Sequence, residues 1–159
     1  MHSGIPGGTP LRLTIGLASE PFAAPALLEC WQGQLAALGA AAAAESLFIG
    51  RVRGTAADGS PLAALELEHY PGMTERQLQH LAAGCADRHG VQAVLLQHRV
   101  GRIAPGDVIV LVAVAADRRG PAQRCCLELL EALKHDAPFW KREWLADGRS
   151  HWLTGNTPL

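Results

Sequence analysis

Lysine is nearly missing from this chain. Of its 14 basic residues only Lys134 and Lys141 are lysines, and every other one is arginine. Arginine keeps its proton at any accessible pH, whereas a lysine can release one when its surroundings depress its pKa. The two lysines, close together in the chain, are therefore the first candidates for proton chemistry. A basic excess is also missing. The formal net charge is −1, which argues against a nucleic-acid partner and confines anion recognition to local clusters. No apolar run approaches the ~20 residues that cross a bilayer. The stretch Leu13 to Ala18 after Arg12 is too short and broken for a signal peptide, so a cytoplasmic protein with no membrane partner is expected. Cys30, Cys85, Cys125 and Cys126 form no Cys-x-x-Cys pair and no zinc-like Cys/His spacing. They read as buried thiols acting as small hydrophobes. His80, His89, His135 and His151 likewise lack metal spacing and read as surface residues, and His98 reads as a satisfied structural histidine inside a strand. No metal and no cofactor are expected.

What is present suits one soluble domain with a single core. The chain has 159 residues, 48% hydrophobic and 18% charged, which is ordinary for a globular domain. Residues 1–10, rich in Gly and Pro, are expected to be disordered, with the domain over residues 11–159. The Gly-Gly pair in that segment follows no strand and is no phosphate loop. Leu11 to Leu17 alternates as a first strand. A helix opens at Ser19 or Glu20 with Pro21 early, and runs through Leu27, Leu28, Trp31, Leu35 and Leu38. Glu45 to Arg53 reads as a strand and Gly54 to Ser60 as a loop. Leu62 to Tyr70 alternates, with Leu65 and Leu67 opposite Glu66 and Glu68. Thr74 can cap a helix with the stripe Leu78, Leu81, Ala82 and Cys85, which Gly90 stops. Val91 to Val100 and the wholly apolar Val108 to Ala115 form a hairpin about the turn Ala104 to Asp107. Gly120 and Pro121 start a helix with the stripe Ala122, Cys125, Cys126, Leu129, Leu130 and Leu133. Lys134 falls at the margin of that stripe, and Ala137-Pro138 ends the helix. Phe139 to Trp152 suggests a short hairpin turning at Asp147-Gly148. The order is mixed α+β, largely antiparallel, without internal repeats.

Three segments carry a resemblance. They are Phe48-Ile49-Gly50-Arg51-Val52-Arg53, Leu67-Glu68-His69-Tyr70-Pro71-Gly72-Met73, and Leu133 to Glu143 (LKHDAPFWKRE). His98-Arg99-Val100-Gly101 and Pro105-Gly106-Asp107 lie between the second and third. Over residues 45–153 the chain resembles the molybdopterin synthase large, catalytic subunit, and its first 44 residues match loosely. The resemblance implies an α/β hammerhead fold with an added antiparallel sheet. It implies a sulfurtransferase of molybdenum cofactor biosynthesis, which replaces two oxygens of cyclic pyranopterin monophosphate by sulfur. The sulfur would come from the C-terminal Gly-Gly thiocarboxylate of a small ubiquitin-like carrier subunit. The assembly implied is a homodimer with one carrier at each end, a heterotetramer.

The resemblance also implies roles. Lys134 and Lys141 match the catalytic pair, and Arg53 and Arg119 match anion-holding positions, with Arg142 beside Lys141 a further substrate-binding candidate. A phosphate and a thiocarboxylate both call for cations, and a lysine crowded by arginines would exchange protons more readily. Phe139 and Trp140 either stack on the pterin or anchor Lys141 from the core. His69, Tyr70 and Pro71 shape a strand end. One position departs from the family: Arg118 stands where a histidine usually precedes Arg119. Arginine preserves binding there but not proton transfer, and the pair is expected to reach the site from the dimer mate. Two other readings stay open: a degenerate member that holds the carrier or an anionic pterin without turnover, and a generic anion-binding domain.

Overall fold

The computed structural model describes residues 10–154, so the expectation for residues 1–9 lies outside the described residues. The elements run β1 (Arg12–Ala18), α1 (Ala24–Ala37), β2 (Ala44–Arg51), β3 (Leu62–Glu68), α2 (Met73–His89), β4 (Ala93–Arg99), β5 (Gly101–Ile103), β6 (Val108–Ala116), α3 (Arg119–Asp136), β7 (Trp140–Leu145) and β8 (Ser150–Trp152). They build two four-stranded sheets, ordered β1-β4-β6-β2 and β5-β3-β7-β8. The second is antiparallel throughout. The fold is therefore the mixed α+β arrangement with an added antiparallel sheet.

The first sheet is a sandwich filling. On one face Val94, Leu96, Val110, Val112 and Val114 meet Leu78, Ala82 and Cys85 of α2 and Cys125, Leu129 and Leu133 of α3. On the other, Leu95, Leu111, Ala113 and Ala115 meet Trp31 and Leu35 of α1. Side chains alternate across a strand, so β6 has no polar position to offer and reads as a continuous apolar run. Val52, Leu67 and Ile103, with Leu65, Ile109 and Phe139 packed on them, join the two sheets.

Several local expectations are corrected. The first helix begins at Ala24, not Ser19 or Glu20, because Pro25 rather than Pro21 occupies its first turn. Gly72, not Thr74, is the N-cap of α2. Glu75 accepts the Gly72 N–H at 2.5 Å, while Thr74 is fully buried and its hydroxyl accepts the Tyr70 N–H at 3.0 Å. The last helix begins at Arg119, two residues before Pro121. β4 and β6 are antiparallel neighbours, but no simple hairpin joins them. Gly101, at φ 79° where a side chain would be strained, turns the chain out of the first sheet into β5, which pairs with β3. β1 runs parallel to β4, the one parallel pair among the described strands. Gly90 closes α2 in the left-handed conformation, as expected, and β7 and β8 form the terminal hairpin. No helix among the described residues is long and apolar enough to cross a membrane.

Candidate active site

The turn after α3 makes the pocket. Pro138 disfavours helical backbone at the residue before it, and Ala137 takes φ −73°, ψ 132° and ends the helix. The Phe139 N–H donates to the Ala137 carbonyl at 2.9 Å, and β7 begins at Trp140. The chain doubles back, so Lys134 in the last turn of α3 and Lys141 at the second position of β7 line one cavity of about 190 Å³ with His135, Phe139 and Leu153. Lys141 is held by its strand: it sits opposite Leu67 of β3, and its carbonyl accepts the Leu153 N–H at 2.8 Å.

Electrostatics separates the two lysines from their expected setting. Burial, and then the charge of Lys134, pushes the Lys141 ammonium below the usual lysine range. The crowding cation is thus the other lysine rather than an arginine. Under the pocket lies His98, 7% exposed. Its ring stacks on Phe139 with centroids 4.4 Å apart and planes 23° from parallel. Its Nδ1 lies 2.8 Å from the Arg99 carbonyl oxygen. Because a carbonyl only accepts, Nδ1 carries the proton and Nε2 the lone pair. Burial lowers the pKa of His98 to about 4, aided by the nearby Lys141 charge and opposed by the bond to the Arg99 carbonyl.

The remaining predicted residues are dispersed. Arg53 is exposed just beyond β2, where the Val52 N–H on the Asp107 carbonyl fixes the chain. Arg118 caps α3 and Arg119 opens it, both exposed. Lys134 lies at the far end of that helix, about 22 Å away at the usual helical rise. Arg142 faces away from Lys141, as adjacent strand positions must. Its guanidinium lies 4.3 Å from the Trp144 ring centre and 5.2 Å from that of Trp152, and it donates to Ser150 Oγ at 2.8 Å. Trp140 shares that outer face, edge-on to Tyr70 at 4.7 Å. With Glu68, His69 and Trp152 these two line a separate cleft of about 370 Å³. Phe139, by contrast, faces inward as a core anchor.

The cysteines sort by element. Cys85, Cys125 and Cys126 are buried, while Cys30 is exposed on α1, contrary to expectation. Burial, with neighbouring Cys85 next in weight, pushes the Cys125 thiol up to about 12, which leaves it without usable thiolate. His89 is half-buried rather than exposed and contacts Glu128, which also pairs with Arg88 at 2.6 Å. The residue the sequence undervalued is His98. Its strand position signalled burial, but nothing in the spacing signalled that it backs Phe139.

The profile described as "MoaE protein" matches residues 19–136. This chain belongs to the MoaE family. A molybdopterin synthase catalytic subunit of Caulobacter vibrioides is 39% identical over 136 residues, 86% of each chain. One of Ralstonia nicotianae is 46% identical over 106 residues, which span 67% of this chain and 59% of that protein. The solved structure of a molybdopterin biosynthesis MoaE protein from Burkholderia ambifaria superposes with a TM-score of 0.73 at 38% identity, covering 91% of both chains. The MoaE match reaches back to residue 19, well before the motifs that carried the resemblance.

Proposed function

We propose that this chain is the catalytic subunit of a molybdopterin synthase and transfers sulfur from a carrier thiocarboxylate to cyclic pyranopterin monophosphate. One observation carries the chemical part: the only two lysines converge on one pocket, and one of them is held where its ammonium is disfavoured. For each sulfur inserted, a carbon–oxygen bond of the pterin side chain gives way to carbon–sulfur, and the carrier thiocarboxylate returns as a carboxylate. Protons must move as the oxygen departs. Lys141, the lysine with depressed proton affinity, suits that exchange. Lys134, lining the same pocket, supplies a second amine for that exchange.

The assembly reading follows from dispersion. Arg118 and Arg119 stand too far from Lys134 along a rigid helix to meet the same small substrate within one chain. A homodimer in which the mate supplies these arginines removes the difficulty. One ubiquitin-like carrier per protomer, its Gly-Gly tail in the lysine pocket, completes a heterotetramer in the cytoplasm. Arg53 then holds substrate phosphate, and Arg118 binds without moving protons. The test is an assay of purified chain with pterin precursor and thiocarboxylated carrier. Dithiolene product supports the reading, and carrier binding without product reduces the chain to a holding module.

A further inference from the structure

We propose that His98 is a positioning residue for Lys141: its ring forms the underside of the pocket floor, and its hydrogen bond ties that floor to the end of β4. The inference rests on the reading of Lys141 as the proton-exchanging lysine. Phe139 is a wall of the lysine pocket, and its inner face lies flat on the His98 imidazole. The residue after Phe139 but one is Lys141, so the stack fixes the start of the strand that presents the ammonium. Nδ1 anchors the ring to the Arg99 carbonyl. That carbonyl sits where the chain leaves the first sheet for the second, so one side chain couples the strand end to the floor.

A histidine suits this place better than its alternatives. An aliphatic residue would present no flat face to Phe139 and no donor to the Arg99 carbonyl. A phenylalanine would keep the face and lose the donor. A lysine or arginine would keep a donor but add a buried cation to Lys141, Lys134 and the buried Arg99. The imidazole offers face and donor while staying neutral, because burial and the Lys141 charge both oppose its protonation. A neutral, tightly packed floor keeps water from the inner side of Lys141, and burial is the main reason its proton is held loosely.

The scarcity of lysine makes the test direct. Lysine labelled with ¹³C at Cε gives two side-chain signals in the whole chain, whose titration NMR follows without substrate. In the wild type one signal, removed by Lys141→Arg, should titrate below the ordinary lysine range. In His98→Ala its midpoint should move up toward that range as water reaches the floor. The loss of alignment should lower kcat about ten- to a hundredfold with KM little changed. His98→Phe should keep the low midpoint better than His98→Gln, because the ring rather than the donor excludes water. Should His98→Ala fail to fold, the order of the Phe and Gln variants decides the matter. An unmoved Lys141 midpoint and unchanged kcat in folded His98→Ala, or a reversed order of Phe and Gln, overturns the proposal. If the midpoint moves as expected while the wild type makes no dithiolene product, the positioning role stands and the sulfur-transfer reading falls.

Discussion

In the first sheet β4 and β6 are buried on both faces, and α1, α2 and α3 cover them with apolar side chains. In the second sheet Leu65, Leu67 and Ile103 form the inner cluster, and the outer face carries Arg102, Arg142, Trp144 and Trp152 in stacked pairs. The lysine pocket belongs wholly to neither. Lys134 comes from a helix on the first sheet, Lys141 from a strand of the second, and His98 from the end of β4 at the junction. A close-packed scaffold resists movement, so a candidate site on its rim has fixed backbones while its side chains stay within reach of a substrate.

If that division holds, damage to the rim should cost rate and damage to the scaffold should cost stability. The largest effect is expected at Lys134. Lys134→Ala should lower single-turnover dithiolene formation by ~10²–10⁴, the usual worth of a well-placed proton-transfer group, with fold and carrier binding intact. Lys134→Arg sharpens the point, because it keeps the charge and loses the proton chemistry. Near-normal turnover in that variant would show that Lys134 only holds an anion, leaving Lys141 alone as the proton-exchanging group.

Next comes acid. The ordinary histidine value is 6.5 and His98 titrates at about 4 when folded. Between those values the unfolded chain binds a proton that the native chain does not, so stability declines as pH falls through that window. The loss amounts to roughly 3 kcal/mol when complete. Urea melts of wild type and His98→Phe at pH 7 and pH 4.5 measure it. The pH-dependent loss should shrink in the variant, and an equal loss in both would assign acid sensitivity elsewhere.

Smaller effects test the scaffold. Cys125→Ala and Cys126→Ala should each cost about 1–2 kcal/mol from lost apolar contact, read by thermal melts, and leave turnover near wild type. A folded variant with no turnover would make a cysteine chemical. The smallest change is expected for Arg142→Ala. Its guanidinium is engaged with two indoles on the outer face, worth about 1 kcal/mol where exposed, so stability should slip slightly while KM stays put. A large rise in KM would return Arg142 to the substrate and blur the distinction between the two faces.

The sequence carried the elements and the chemistry types well. The unbroken apolar run of β6 announced a strand buried on both faces, and the stripe of α3 named its core residues. Ala137-Pro138 forced the turn that brings Lys134 and Lys141 together. These are local consequences of periodicity and backbone sterics, which a single chain segment expresses by itself. Only the tertiary structure decided that Pro25 rather than Pro21 starts α1, that β5 leaves the first sheet at Gly101, and that Arg142 and Trp140 face away from Lys141. It alone set His98 beneath Phe139 and made Lys134, not an arginine, the charge that crowds Lys141. Burial and electrostatic neighbourhood depend on residues remote in sequence meeting in space, and no window along the chain contains both partners.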